Sequence, residues 1–166
     1  MAARFLLDTN ICIYIRRRRP PEVLAKFKRL RAGEAVISVI TYGELMYGAE
    51  KSRLREQATA QMMELTSLLP VIALPSHAGQ FYGMIRAMLE GKGEMIGNND
   101  LWIAAHAKAA ELTLVTNNEN EFRRVQGLKI QNWVDRPALE RRSDGTIAPG
   151  AGLSETPGAT LYFSVC

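Results

Sequence analysis

The sequence predicts an α/β fold, with a central, mostly parallel sheet of about five strands flanked by helices on both faces. Three observations carry that prediction. Short apolar runs recur along the chain and alternate with longer amphipathic segments. The runs are almost unbroken in their apolarity, as strands covered on both faces require; a half-exposed strand would alternate. Proline, glycine and capping residues fall between them at positions suited to helix starts and stops.

The first run, "RFLLD", reads as a buried strand, and "TNICIYIRR" continues as a helix with Ile11, Tyr14 and Ile15 at helical spacing. "PPEVLAKFKRLRAG" has proline near its start and Gly33 past its end; Val23, Leu24, Phe27 and Leu30 share one face, which leaves its Lys and Arg residues outward. "AVISVI" at 35–40 is a second strand, followed by a helix from "TYGELMYGAEK" with Thr41 as its N-cap. Residues 53–69 are helical, and "VIAL" at 71–74 is a third apolar run. Ser76 caps a helix to about Glu90, ended by the Gly91 and Gly93 loop, and a helix from about Asn99 to Leu112 follows. "LTLVTNN", "ENEFRRV" and "KIQNWV" then read as strand, short helix and last strand. From Asp135 the chain turns rich in Gly, Pro, Ser and Thr without periodicity. The expected organisation is one domain over 1–135 and a loosely ordered extension over 136–166, whose "TLYFSV" could still pack.

A hydrophobic content of 47% with 23% charge allows a real core. No apolar run approaches the roughly 18 residues of a membrane span. The start lacks signal-peptide order, because Asp8 interrupts the apolar stretch and the arginines follow it. Cys12 and Cys166 give neither a disulfide framework nor metal-ligand spacing, which points to the cytoplasm. The net charge of +4 is modest, but Arg16, Arg17, Arg18, Arg19, Lys26, Lys28, Arg29 and Arg31 are opposed only by Glu22. Such a cluster favours a polyanion, since each neutralised phosphate releases counterions; a solvated helix face explains it equally well.

Ligands of open α/β sheets bind outside the carboxyl ends of the strands. Asp8 and Asn10 follow the first strand, Glu44 lies early in the helix after the second, and Asp100 opens the helix near 99. Thr116, Asn117 and Asn118 follow "LTLV". Three carboxylates at one edge would repel one another unless a cation lay among them. An all-oxygen set suits Mg²⁺ or Mn²⁺ better than zinc. Each acid also has a plainer reading: Thr41 with Glu44 and Thr116 with Glu119 have capping-box spacing, Asp100 complements a helix N-terminus, and Asp8 caps a turn. His77 and His106 fit structural positions and Cys12 a core thiol. No phosphate loop, nucleophile elbow or H-E-x-x-H motif is present.

Together, "LLDTNICIYI", "SVITYGELMYGAEKS", "IGNNDLWIAAHA" and "LVTNNENEFRRVQGLKIQNWV" resemble the PIN-domain ribonucleases, and within them the VapC toxins of bacterial toxin–antitoxin pairs, over about residues 4 to 135. The resemblance implies a PIN-like fold and metal-dependent endonucleolytic cleavage of RNA, with Mg²⁺ or Mn²⁺ held by Asp8, Glu44 and Asp100. Asp8 and Asp100 would bind most directly and Glu44 directly or through water, with Asn10 and Thr116 as supports. It implies a structured RNA substrate, typically tRNA and initiator tRNA in the most similar branch. It also implies a VapB-like antitoxin, operator DNA bound only through that complex, and a homodimer, which exposed apolar residues on helices 41–50 and 53–69 could serve. Arg16, Arg17, Arg18 and Arg19 are candidates for the RNA backbone or for the antitoxin. One departure stands out: many PIN domains have a fourth acid where this chain has Asn118. The loss would weaken a second metal unless Glu119 or Glu121 reaches the site. It keeps open an alternative, a catalytically weakened nucleic-acid- or antitoxin-binding module.

Overall fold

The computed structural model describes residues 2–134; the extension expected over 136–166, with its "TLYFSV" segment, lies outside the described residues. Five strands form one parallel sheet in the order β3-β2-β1-β4-β5. They are β1 (Phe5–Leu7), β2 (Ala35–Ser38), β3 (Val71–Ile72), β4 (Thr113–Val115) and β5 (Ile130–Gln131). Helices α1 (Thr9–Arg17) and α2 (Pro21–Lys28) connect β1 to β2, and α3 (Val39–Glu50) and α4 (Arg55–Leu68) connect β2 to β3. Helices α5 (Ala78–Lys92) and α6 (Asn98–Ala109) lead back to β4, and the short α7 (Glu119–Phe122) leads to β5.

The unbroken apolarity of the central strands has a direct cause. Leu7, Ile37 and Val115 pack into one core with Ile11, Leu45, Met62 and Trp133. Leu6, Val36 and Leu114 point the other way, into a second core with Ile85, Leu89, Ile103 and Phe122. Successive side chains of a strand face opposite sides, so burial of both sides demands apolar residues at every position. The chain runs outward from β1 through β2 to β3, then returns to pair β4 with the other edge of β1. The order therefore reverses between β1 and β4, and the crevice for a ligand lies at the carboxyl ends of those two strands.

Several element boundaries differ from the sequence expectation. β2 stops at Ser38, whose side chain accepts from the Ile40 N–H and caps α3. Thr41 is thus not the cap but a buried residue inside the first turn, and no capping box joins it to Glu44. Ser76 lies in a turn, and α5 begins at Ala78 without a side-chain cap. Gly91 continues that helix, while Gly93, at φ 67°, ends it in the left-handed conformation where glycine costs least. α2 closes at Lys28, so Gly33, at φ 84°, shapes the entry to β2 and does not end the helix. The basic face of α2 is not wholly outward, since Lys26 Nζ donates to the Trp133 carbonyl at 3.1 Å. No helix among the described residues is long and apolar enough to cross a membrane.

Candidate active site

Asp8 closes β1, and its backbone N–H extends the β1–β4 ladder by donating to Val115 O at 3.0 Å. The same residue is the N-cap of α1, with its Oδ1 accepting from the Thr9 N–H at 2.7 Å. Capping and a site role are therefore not alternatives here. Its Oδ2 accepts from the Thr116 hydroxyl at 2.8 Å, a bond that spans the switch point between β1 and β4. Thr116 Oγ1 in turn accepts from the Asn118 N–H at 2.9 Å, which fixes its hydroxyl proton toward Asp8. Both Asp8 and Thr116 are buried.

The remaining acids arrive from three other helices. Glu44, on α3, accepts from the Thr9 hydroxyl through Oε2 and from Asn99 Nδ2 through Oε1 at 2.9 Å. Asp100 stands in the first turn of α6. It hydrogen-bonds Glu121 of α7 and feels the charges of Asp8, Glu121 and Glu44. Burial first, then its anionic neighbours, push the Asp100 carboxyl up to about 8. Burial likewise lifts Asp8 to about 6, against the hydrogen bonds from Thr116 and Thr9 that favour its charged form.

Glu121 thus joins the cluster as the fourth carboxylate. The position matched to the family's fourth acid holds Asn118, which serves as the N-cap residue of α7. Glu119 turns away, pairing with Arg123 at 2.7 Å and accepting from Asn132 at 2.9 Å, so it forms no capping box with Thr116. The sequence offers Glu119 and Glu121 as alternatives for this place, and their positions on the one-turn helix α7 decide for Glu121. Asn10 is exposed and makes no side-chain hydrogen bond among the described residues; the contacts around Asp8 come from Thr9 and Thr116. Thr9 and Asn99 were not singled out from sequence, because a middle residue of D-x-N and an asparagine beside a helix start are common cap chemistry.

The basic cluster sits elsewhere. Arg16 and Arg17 occupy the last turn of α1, Arg18 caps it in the left-handed region, and Arg16 donates to Gln61 at 3.2 Å. At 1.5 Å of rise per residue, Arg17 lies roughly 13 Å along the helix from Asp8. The cluster therefore borders the site and does not enter it. His106 is buried with Nδ1 2.9 Å from Ser38 Oγ, His77 Nε2 lies 2.9 Å from the Ala109 carbonyl, and Cys12 is a buried thiol.

The donor set is all oxygen and, once ionised, strongly anionic, which fits a hard divalent cation. Among the described residues no three His, Cys, Asp or Glu side chains stand close enough together to hold a metal ion as they are placed. That is consistent with Glu44 being tied at both oxygens, and with ions of this kind that keep several waters.

Comparison with known proteins places the chain in a family. The model of the PIN domain matches residues 5–128. The chain is 46% identical over 132 residues to ribonuclease VapC2 of Haemophilus influenzae, covering 79% of this chain and 98% of that relative. It is 41% identical over 130 residues to the tRNA(fMet)-specific endonuclease VapC of Shigella flexneri, covering 78% of this chain and 98% of the relative. Among solved structures, VapBC2 of Rickettsia felis bound to a DNA fragment from its promoter superposes with a TM-score of 0.74 at 39% identity, over 81% of this chain and 100% of that one.

Proposed function

This chain belongs to the PIN-domain family, among its VapC ribonucleases, and we propose that it is the toxin of a type II toxin–antitoxin pair, a metal-dependent endoribonuclease that inhibits translation by cutting structured RNA. The observation that carries the site assignment is the Thr116–Asp8 bond across the switch point, with Glu44, Asp100 and Glu121 gathered at the same sheet edge. A binding module that no longer cuts is not favoured, because Glu121 supplies the charge that Asn118 lacks.

In this reading Asp8 and Asp100 would hold the ion, with Glu121 beside Asp100 and Glu44 reaching it directly or through water. When bound, a divalent metal (Mg²⁺, with Mn²⁺ as a substitute) supplies the acidity that activates water and offsets charge growing on the phosphate. The protein's own part is orientation and proton release. The Thr116 hydroxyl and Thr9 N–H aim the Asp8 carboxylate, and Thr9 and Asn99 hold Glu44. Burial and the anionic neighbours favour the protonated form of Asp100, and a bound cation would favour its ionised form instead. Arg16, Arg17, Arg18 and Arg19, at the far end of α1, suit the RNA backbone flanking the cut. The proposed substrate is tRNA, with initiator tRNA favoured by the name of the Shigella relative. The proposed partners are a VapB-like antitoxin, operator DNA through that complex, and a second copy of the chain, all in the cytoplasm.

Mapping cut sites on total RNA with Mg²⁺, then with Asp8→Asn, tests the assignment. Discrete tRNA cuts that vanish in the variant and on chelation are expected. Cleavage by Asp8→Asn at the wild-type rate overturns it.

A further inference from the structure

We propose that Gly97 is a positioning residue of the metal site: its missing side chain is the room that the Asp100 carboxylate occupies. The inference rests on the metal-dependent reading above. Gly97 is the N-cap residue of α6, at φ −56° and ψ 147°, a conformation open to any amino acid. The backbone therefore gives no reason for glycine. N-cap positions favour Ser, Thr, Asp or Asn, and Gly97 offers α6 no side-chain cap. The reason lies three residues on. A Cβ at position 97 would stand 2.9 Å from Asp100 Oδ2, closer than such atoms approach, with the Asp100 Cγ in ordinary contact at 3.6 Å. By contrast, a Cβ at Gly91 or Gly83 would meet nothing within 4 Å.

The relief available to such a clash decides its consequence. The backbone at 97 is anchored, because its carbonyl accepts the Leu101 N–H at 2.9 Å and begins the helix ladder. The Asp100 side chain is what can turn. Its rotation costs the fold little, yet it shifts the oxygen relative to Asp8 and Glu121. Metal–ligand distances hold within about ±0.2 Å, so a displacement of a few tenths of an ångström is felt at the ion. Glycine at 97 thus exchanges a better helix cap for a correctly set carboxylate.

The test is Mn²⁺ titration of the full chain by electron paramagnetic resonance, beside metal-free melting, for wild type, Gly97→Ala, Gly97→Ser and Gly91→Ala. Gly97→Ser, which can cap α6, is expected to melt at or above wild type without metal, and Gly97→Ala, a poorer cap than glycine, slightly below it; both are expected to bind Mn²⁺ about 10–100-fold more weakly, as loss of a ligand's support does. Gly91→Ala is expected to bind like wild type. Mn²⁺ affinity within twofold of wild type in Gly97→Ala overturns the proposal, as does a loss of affinity that only follows a fall in melting temperature. Failure of wild type itself to bind Mn²⁺ overturns the metal-dependent reading, which separates the two failures.

Discussion

A carboxylate as buried as Asp8 is costly to charge, and its two hydrogen bonds offset that cost only in part. Without metal, Asp8 binds its proton near pH 6 and Asp100 near pH 8, whereas both have ordinary values of 3.8 when free. The folded state therefore holds more protons than the unfolded state through this window, and stability falls as pH rises. The contribution is fully present below the ordinary value and lost on passing 6 and then 8. Melting in EDTA is accordingly expected to drop between pH 5 and pH 8.5, with Asp8→Asn showing a shallower slope and a higher melting temperature at the alkaline end. An unchanged slope in that variant would remove Asp8 as the cause. Added Mn²⁺ competes with these protons, so its stabilisation is expected to be larger at pH 8 than at pH 5.5. Thr116→Val leaves all four acids but frees one Asp8 oxygen, and should cost about 10–100-fold in Mn²⁺ affinity with a smaller effect on melting. Equal affinity would mean that the hydroxyl does not orient Asp8.

At the scale of elements, the helices hold the acids only if their ends are fixed. Ser38 ends β2, caps α3 and meets His106 of α6, so one hydroxyl joins the helices that carry Glu44 and Asp100. Ser38→Ala is expected to lower stability by about 1 kcal/mol for the lost cap, and further because the buried His106 Nδ1 loses its partner. In urea unfolding, the double variant with His106→Leu should depart from additivity by about 0.5–3 kcal/mol; strict additivity would deny the link. This junction was the least legible part of the sequence. Val39 and Ile40 are β-branched and favour a strand, yet they form the first turn of α3 because the Ser38 cap overrides that weak preference. α1 was legible to the residue and β1 to within one residue at each end, since their patterns serve one buried stripe and two buried faces. β3 and β5 shrank to two residues each at the sheet edges, where apolar runs such as "VIAL" serve packing more than pairing. Asp8, Glu44 and Asp100 could be picked out because strand ends and helix starts are marked in sequence. Glu121 could be narrowed only to one of two nearby glutamates, since a four-residue helix decides which faces inward.

For the whole molecule, the question is how much chain the fold and site require. The relatives are matched over 98% of their own length by 132 and 130 residues of this chain. Trp133 belongs to what the fold requires: it is buried in the core with residues of α1, α3 and α4 and meets Phe5 of β1 edge-on, with centroids 5.7 Å apart. Phe5 begins the strand that leads into Asp8, so this contact braces the strand that delivers the first acid. Lys26 also needs this segment, because its ammonium donates to the Trp133 carbonyl. A chain ended after Asp135 is therefore expected to melt within a few degrees of the full chain, with the same Mn²⁺ affinity and RNA cleavage. A chain ended after Gln131 loses the tryptophan, and the cavity left by a buried aromatic of that size costs about 3–5 kcal/mol, a large share of a small domain's stability. It should melt far lower and bind Mn²⁺ weakly even when partly folded. Circular dichroism melts and Mn²⁺ titration of the two truncations check this. Loss of metal binding in the longer one would mean that residues 136–166 belong to the nuclease unit and that the domain boundary lies beyond Asp135.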